Sequence, residues 1–530
     1  MTDLSYVLVG DIVTMNHNRD VIEKGAIYVR NDTIEAVQKA TDPVPHGFED
    51  APRLSTSGTI FPGLIELHNH LAYNVLPMWQ PPARYKNRDQ WRGIPDYRKL
   101  ISGPMEILAK KRGYKEAIVR YVECKCLLGG VTTSQGLTLS PAPGLQKEFT
   151  GIVRNAEYPD DPALPAADAK VNDVATAEEL EKELERAKPG RLLLHLSEGL
   201  DQIARNHFLA FQKHDGSWAI SDTLVGIHCA GLVKEDWKIL AKGRGAMVWS
   251  PLSNLLLYGD TASVGDAKAA GVRIALGSDW SPSGSKNLLW ELKIAYLWSK
   301  LHGGVFTEQE IAEMATIRAA EILGWDKTLG SLAPGMRADL LVIAGSQGDP
   351  YKRLLRSEES SIKLVVIRGV PRVGTKSLMA AFHLPTELYG DRLLYLQDPE
   401  SFALVGSLTL GEARRRLSTG LKALPNLPEV LPPVGRGLET EPEWSLVLDQ
   451  DDAFGSVLRP LAPLTTAAAA GMATAAAIPA ADLVKPMVLD PLTVSEDPEA
   501  YLTALDAQPN LPPELPRALR QLQHRLLHAA

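Results

Sequence analysis

The segment FPGLIELHNH, residues 61–70, places two histidines at the end of an apolar run that predicts a β-strand. Side chains two positions apart on a strand share one face, so His68 and His70 are expected to point the same way and chelate one cation. A single H-x-H pair is weak evidence of a metal site. Later apolar runs end similarly, with His195 in RLLLHLSEG, His228 in TLVGIHCAG and Asp279 in VRIALGSDW.

These runs belong to an alternation of strand-like and helical segments from residue 62 to residue 326. The alternation predicts an α/β fold with a parallel sheet, and its length suits a (β/α)8 TIM-like barrel of ~250 residues. Active sites of such barrels lie at the carboxyl ends of the strands, where imidazole and carboxylate groups suit Zn or another transition metal. Strands are expected at residues 63–70, 130–136, 191–199, 223–231, 245–250 and 272–279, and helices at 177–190, 287–301 and 307–324.

Two β-rich segments flank the predicted barrel of residues 62–326. Residues 1–61 and 327–380 contain short apolar strands separated by turns, so we expect them to build one small β-sandwich together.

Residues 381–530 differ in composition from the rest of the chain, because they are rich in Pro and Ala and carry amphipathic patches. This pattern indicates a helical C-terminal extension, in which Ala467–Ala481 is interpreted as a flexible linker. No candidate ligand lies beyond Asp279, so truncation near residue 385 is expected to retain the metal.

Charge and composition limit the partners of the chain. The net charge is −8 and no long run of Lys and Arg is present, which argues against nucleic acid and favours a small-molecule substrate. Neither a secretory leader nor a membrane span is visible, so a cytoplasmic location is expected. Cys124, Cys126 and Cys229 are expected to be ordinary buried thiols. A homo-oligomer is left open.

The chain resembles the amidohydrolase superfamily, and within it the branch of the cytosine and guanine deaminases and the triazine hydrolases. The matching motifs are FPGLIELHNH, HLSE, IHCAGL, WSPLSN, LGSDW and GSLAPGMRADLLVI. The resemblance covers roughly residues 1–380. It implies one divalent metal bound by four residues, namely His68, His70, His195 and Asp279.

The resemblance also bears on the number and kind of metals. Binuclear relatives carry a carboxylated lysine on the fourth strand, whereas the segment FTGIVRNAEY offers Arg154 and Glu157 there, which favours a mononuclear site. Zn is favoured, and Fe(II) suits the same ligands.

Three residues are implied to act in catalysis. Asp279 orients the attacking water, and His228, beside the metal rather than bound to it, polarises that water or the tetrahedral intermediate. Glu198 completes an H-x-x-E motif with His195 and is implied to move a proton from the water to the leaving nitrogen. Positions 195 and 198 face oppositely on a straight strand, so a bend near Gly199 is required.

Several lesser candidates have equally plausible structural roles. Ser253 and Asn254 in WSPLSN belong either to the site or to a turn. Glu66 shares a face with His68 and is expected in a polar layer inside the barrel. The insertion at residues 72–97 is either a substrate lid or a dimer contact. Its aromatic residues are Tyr73, Trp79, Tyr85, Trp91 and Tyr97.

The predicted function is hydrolysis of a C–N bond in a small molecule, by deamination of an aminated heterocycle or an amidine. Cleavage of a cyclic or aryl amide is the alternative within the same class. A non-catalytic metal-binding scaffold and a dehalogenating hydrolase are further alternatives. The complete set of catalytic residue types argues against the scaffold, and Glu198 suits a nitrogen leaving group better than a halide.

Overall fold

The computed structural model describes residues 4–109, 111, 113–137, 139–140, 151–397, 405–427, 445–448 and 484–527. The predicted linker at Ala467–Ala481 lies outside these residues. Among the described helices, none has the length and apolar character needed to cross a membrane.

Nineteen strands are described, and most are short. In chain order they are β1 (Ser5–Val13), β2 (Val21–Arg30), β3 (Thr33–Lys39), β4 (Arg53–Pro62), β5 (Leu64–Glu66), β6 (Val131–Ser134), β7 (Leu139–Ser140), β8 (Arg154–Asn155), β9 (Asp168–Lys170), β10 (Leu192–Leu196), β11 (Leu224–His228), β12 (Ala246–Trp249), β13 (Arg273–Leu276), β14 (Leu340–Ala344), β15 (Ile362–Ile367), β16 (Val370–Thr375), β17 (Glu387–Tyr389), β18 (Arg392–Leu394) and β19 (Ser445–Leu446).

The described α-helices mostly follow the parallel strands. In chain order they are α1 (Pro95–Tyr97), α2 (Gly103–Ala109), α3 (Tyr114–Leu128), α4 (Ala177–Ala187), α5 (Gln202–Leu209), α6 (Lys234–Lys242), α7 (Pro251–Tyr258), α8 (Val264–Ala270), α9 (Leu288–Leu301), α10 (Glu308–Met314), α11 (Ile317–Leu323), α12 (Pro350–Arg356), α13 (Lys376–Met379), α14 (Leu410–Lys422), α15 (Pro498–Asp506) and α16 (Glu514–Leu527). The helix expected at 307–324 is interrupted at Thr316, whose backbone leaves the helical region.

One nine-stranded sheet unites the two flanking segments, in the order β17-β18-β16-β15-β14-β4-β1-β2-β3. Within it, strand β4 pairs in parallel with β1 and antiparallel with β14. The predicted association of the two segments is therefore observed, but as one hydrogen-bonded sheet rather than two facing sheets. The sheet also takes in β17 and β18, so it extends beyond the boundary expected at residue 380.

Between β4 and β14 the chain forms two parallel sheets, β5-β6-β8 and β9-β10-β11-β12-β13. The amide of Ala167 donates to the carbonyl of Ala156 at 2.8 Å and so links the sheets beyond β8. The amide of Asp279 donates to the carbonyl of His68 at 3.1 Å, which links β13 to β5 at the other side. Strands β10, β11 and β12 are buried on both faces, which explains their continuous apolar sequences.

The C-terminal residues 484–527 pack against the parallel-sheet domain, and α16 lies along α9. The amide of Asp490 donates to the carbonyl of Val75 at 3.1 Å, and its carboxylate pairs with Lys125 and Lys286. These contacts argue against the expectation that truncation near residue 385 leaves the metal site undisturbed. The amphipathic patches bury their apolar faces on the rest of the protein.

Candidate metal centre and active site

The predicted functional residues lie together at the carboxyl ends of the parallel strands. His195 and His228 belong to β10 and β11, whereas His68, His70 and Asp279 lie just beyond β5 and β13. Within each of three overlapping groups the potential ligand atoms lie within 4.8 Å of one another: His68, His70 and His195; His68, His228 and Asp279; His195, Glu198 and His228.

The centre of this cluster has one unsatisfied nitrogen, on His68, that suits a metal ion. Nε2 of His68 is buried, lies 3.2 Å from Oδ1 of Asp279 and makes no hydrogen bond. Nε2 of His70 lies 3.4 Å from the same oxygen. A buried nitrogen without a partner is costly unless a cation occupies the position it faces. The donor set of imidazoles and one carboxylate therefore fits a divalent transition metal.

Hydrogen bonds fix the tautomers of two imidazoles. Nδ1 of His68 lies 2.9 Å from Oε1 of Gln135, and that oxygen also accepts from the amide of Asn69. Nδ1 of His195 lies 3.3 Å from the carbonyl of Lys170. Both Nδ1 atoms therefore carry the proton, because their partners are acceptors, and both Nε2 lone pairs remain available to a cation.

The imidazole of His228 has the opposite tautomer. The indole N–H of Trp249 donates to Oγ1 of Thr261 at 2.8 Å, and Thr261 donates to Oδ1 of Asn254 at 3.1 Å. The amide nitrogen of Asn254 then donates to Nδ1 of His228 at 3.2 Å. Because an indole is only a donor, this chain of bonds runs in one direction and leaves the proton of His228 on Nε2. His228 presents an N–H to the site.

The backbone is strained where two site residues leave their strands. His228 has a φ of 66° and Asp279 a φ of 65°, in the left-handed region that residues other than glycine seldom adopt. The backbone at Gly277 also lies very close to His68. A Cβ atom added to Gly277 would lie 2.5 Å from Cβ of His68. Only glycine at this position allows β13 and the segment after β5 to come so near.

Burial and neighbouring charges set the pKa values of the cluster. Burial lowers the pKa of His195 well below its ordinary value and that of His228 to about 4. Burial alone would raise the pKa of Asp279, but interaction with His68 and then His70 outweighs it and holds that pKa well below its usual range. These shifts favour neutral imidazoles at His195 and His228 and an ionised carboxylate at Asp279.

Glu198 lies beside the cluster with its carboxylate held in place. Oε1 accepts a 2.8 Å hydrogen bond from Tyr258, whose hydroxyl accepts one of 3.0 Å from the indole of Trp91. Oε2 lies 3.8 Å from Nε2 of His228. The chain bends directly after β10, at Ser197, whose φ is 50°, as well as at Gly199, whose φ is 141°. The bend brings the side chain of Glu198 to the same end of the strand as His195.

Arg88 is a buried cation beside Glu198 that the sequence analysis did not identify. Its Nη2 lies 2.9 Å from Oδ1 of Asp173, and its Nη1 lies 3.7 Å from Oε2 of Glu198. Nη1 also donates to the carbonyl of Val171 at 2.8 Å. Burial opposes the charge of Arg88, but the carboxylates of Glu198 and Asp173 reverse that effect and raise its pKa.

The aromatic insertion at 72–97 forms the wall and cover of the pocket. Tyr73, Trp91 and Tyr97 line it together with Trp280, and all four are buried. The insertion pairs with the Glu198 segment through a bridge between Asn87 and Gly199. These burial and pairing data support the lid interpretation over a dimer contact, because buried rings are not available to another subunit.

The fourth parallel strand is β9, not the segment around Arg154, which is β8 and the third strand. The sequence interpretation of FTGIVRNAEY is therefore wrong in its position. β9 ends in Lys170, whose Nζ pairs with Glu183 at 3.0 Å on the helical side of the sheet. This ion pair directs the lysine away from the cluster. Arg154 is likewise engaged, with Asp339 at 2.8 Å.

The remaining residues singled out in the sequence have different surroundings in the structure. Asn254 belongs to the site through His228, whereas Ser253 is buried and its hydroxyl has no hydrogen-bond partner. Glu66 lies below the cluster as expected, where burial raises its pKa and its carboxylate accepts from the amide of Ser278 at 3.0 Å. The three cysteines are buried, and burial raises the pKa of each, so they are inert thiols.

The sequence analysis missed the residues that orient the predicted ones. Gln135 follows β6 in the order expected for a strand-end residue, and this position was a usable signal. Tyr258 and Arg88 reach Glu198 from a helix and from the insertion. No local pattern marks such contacts between sequence-distant residues.

Part of the chain is similar to a known protein family and to known deaminases. Residues 174–372 match the amidohydrolase family. The chain is 26% identical over 376 residues to a 5-methylthioadenosine/S-adenosylhomocysteine deaminase of Symbiobacterium thermophilum, covering 63% of this chain and 84% of that protein. It is 29% identical over 156 residues to a guanine deaminase of Escherichia coli, covering 28% of this chain and 35% of that protein.

A solved structure of another protein has a similar fold. The zinc-bound adenosine deaminase from Xanthomonas campestris superposes with a TM-score of 0.57 at 17% identity, covering 78% of this chain and 99% of that chain. The family match and the deaminase relatives support a metal-dependent hydrolase of C–N bonds. The match to the amidohydrolase family over residues 174–372 agrees with the predicted resemblance, and the predicted class of C–N hydrolase is confirmed.

Proposed function

We propose that this protein deaminates an amino-substituted planar heterocycle, using one divalent metal, with Zn favoured, bound by His68, His70, His195 and Asp279. The observation that carries the proposal is the carboxylate of Glu198, held 3.8 Å from His228 at the edge of the ligand cluster. The three-stranded and five-stranded parallel sheets are linked by hydrogen bonds at both sides, which supports one (β/α)8 barrel that brings these residues together.

The histidine tautomers support metal binding by His68 and His195 and a different role for His228. His68 and His195 direct lone pairs toward the cluster, whereas His228 directs an N–H. His228 is therefore a hydrogen-bond donor to substrate rather than a ligand. Lys170 pairs with Glu183 and supplies no bridging group, which favours a single cation. The relative with bound zinc favours Zn among the metals that suit this donor set.

A divalent cation bound there supplies the Lewis acidity that makes hydroxide available near neutral pH. Asp279 accepts a hydrogen bond from the attacking water and orients it. Glu198 takes the proton of that water and delivers it to the leaving nitrogen, which departs readily only when protonated. The N–H of His228 stabilises negative charge that develops where the water attacks.

The pocket favours a flat substrate. The rings of Tyr73 and Trp280 lie 5.1 Å apart, and Trp91 and Tyr97 lie 5.2 Å apart, so aromatic faces and edges surround the space above His70. Such rings stack on planar, partly apolar molecules. The relatives named deaminases act on purine derivatives by their names, which agrees with a planar amino heterocycle.

The test is a screen of aminopurines, aminopyrimidines and aryl amides with the Zn-loaded full chain, measuring released ammonia and new carboxylate. Ammonia without carboxylate is the expected result, and Glu198→Gln should abolish it while retaining the metal. Glu185→Gln, on an exposed helix face, is the matched control and should be fully active. Carboxylate from an aryl amide would identify the alternative amidase. Full activity of Glu198→Gln would contradict the proton-transfer role.

A further inference from the structure

A buried cluster of one carboxylate and two ammonium groups lies behind the proposed metal centre and takes no part in the mechanism above. Asp490, in the C-terminal segment, accepts hydrogen bonds of 2.5 Å from Nζ of Lys125 and from Nζ of Lys286. The three side chains are between 2% and 6% exposed. Buried ammonium groups are costly without a counter-charge, so Asp490 is required for both lysines to be accommodated.

Lys125 connects this cluster to both loops that carry metal ligands. Its Nζ donates to the carbonyl of Asn74 at 2.8 Å and to Oγ of Ser281 at 2.7 Å. Asn74 lies in the turn after His70, and Ser281 follows Asp279 by two residues. One ammonium group, held by Asp490, therefore contacts both segments.

Further hydrogen bonds join the two ligand-bearing segments directly. Oδ1 of Asn74 accepts from the amide of Ser281 at 2.7 Å, and Nδ2 of Asn74 donates to Asn69 at 2.9 Å. Nδ2 of Asn69 donates to the hydroxyl of Ser278 at 3.0 Å. Asn69 lies between two ligands and Ser278 precedes a third, so a displacement of Lys125 would be transmitted to the ligands themselves.

The same C-terminal segment also holds the lid. Nε2 of Gln508 donates to the carbonyl of Trp79 at 3.2 Å. Nδ2 of Asn510 donates to the carbonyl of Ala83 at 3.0 Å and to that of Leu256 at 2.9 Å, in the helix that carries Tyr258. The segment therefore contacts the ligand loops, the lid and the helix that orients Glu198.

We propose that Asp490 is a positioning residue for the metal centre and that the C-terminal segment is a working part of the catalytic unit. Asp490 acts through Lys125, which sets the spacing between the loop of His68 and His70 and the loop of Asp279. The inference rests on the proposed metal-dependent function, since it concerns how tightly those ligands hold a divalent cation.

The experiment compares full-length Asp490→Asn with Asp506→Asn, a matched change at a surface ion pair with Arg520 in the same segment. Zn²⁺ affinity is measured by chelator competition, the visible spectrum of the Co²⁺-substituted protein reports ligand geometry, and circular dichroism reports folding. Asp490→Asn should remain folded, weaken Zn²⁺ binding about tenfold or more and change the Co²⁺ spectrum, as loss of support behind metal ligands does elsewhere. Asp506→Asn should match wild type.

Ser281→Ala keeps the inference testable if Asp490→Asn does not fold, because it removes only the contact between Lys125 and the loop of Asp279. It too should weaken Zn²⁺ binding. Wild-type affinity and an unchanged Co²⁺ spectrum in a folded Asp490→Asn, or in Ser281→Ala, would overturn the positioning role and leave the proposed function standing. If the wild-type chain bound no divalent metal, the proposed function itself would fail.

Discussion

Tyr258 donates a 2.8 Å hydrogen bond to Glu198 and accepts one of 3.0 Å from Trp91, so the lid and the carboxylate are joined through one hydroxyl. Since the indole N–H can only donate, the proton of Tyr258 is committed to Glu198. The position of the lid therefore determines the orientation of the group that moves the proton.

Replacement of Tyr258 by Phe should lower kcat while metal content stays unchanged. The loss is expected to be about tenfold or more, since a hydrogen bond to a charged group is worth about 1.5 kcal/mol or more. Steady-state kinetics and elemental analysis provide the measurement. Tyr351→Phe is the control, because the hydroxyl of Tyr351 is buried, has no hydrogen-bond partner and lies outside the pocket. Wild-type kcat in Tyr258→Phe would show that the contact is dispensable.

Removing a proposed metal ligand should lower the metal content, in contrast to the Tyr258→Phe substitution. His195→Ala and Asp279→Asn are expected to lower the metal content below the one equivalent expected for wild type, because each leaves an incomplete donor set. Elemental analysis after dialysis measures this. Glu198→Gln, purified in parallel, should keep its metal. Equal metal content in all three variants would place the cation elsewhere.

Asn254→Asp should change the tautomer of His228 without removing a ligand. A carboxylate can only accept, so Nδ1 of His228 would take the proton and Nε2 would no longer donate into the site. Loss of a donor to developing charge typically costs on the order of 100-fold in kcat. The exposed Asn206→Asp is the control, and kcat with metal content is the readout. An active Asn254→Asp enzyme would exclude the donor role of His228.

Truncation after residue 385 is now expected to disrupt the protein. It would leave Lys125 and Lys286 buried without Asp490, and breaking a buried ion pair costs about 3–5 kcal/mol. It would also remove β17 and β18 from the edge of the large sheet. Soluble yield, thermal unfolding and Zn content measure the effect. A soluble truncated chain with wild-type metal content would restore the earlier expectation.

Glu313 should make a pH-dependent contribution to stability. Burial raises its pKa, but the hydrogen bonds from Arg19 and Gln309 together with the nearby arginine charges outweigh burial, so its folded-state pKa lies below the unfolded value. Its stabilisation is therefore complete above the unfolded pKa of about 4.3 and is lost as pH falls through the folded pKa.

Glu313→Gln should accordingly destabilise the protein by about 1 kcal/mol at pH 7, and the difference from wild type should vanish toward pH 3. Urea unfolding at the two pH values measures this, with the exposed Glu235→Gln as control. A difference that persists at low pH would show that the effect comes from packing rather than charge.

The sequence predicted those elements that carry a strong local pattern. β10 and β11 lie inside the ranges expected for them, because strands buried on both faces are continuous apolar runs. β9 was missed because its three residues, Asp168–Lys170, are mostly polar, and the fourth strand was misplaced as a result. The cluster of His68, His70, His195 and Asp279 could be proposed from the sequence because these residues end or follow apolar runs. Asp490 was not, since its partners lie hundreds of residues away.

Strand β4 obtains its second neighbour very late in synthesis. Residues 58–62 pair with residues 340–344, so the whole parallel-sheet domain must leave the ribosome before that edge is closed. At about 5–20 residues per second, the edge stays open for tens of seconds. An unpaired apolar edge is a template for aggregation. Translation speed and chaperone access over this interval are therefore expected to set the yield of native enzyme more strongly than the stability of the finished fold.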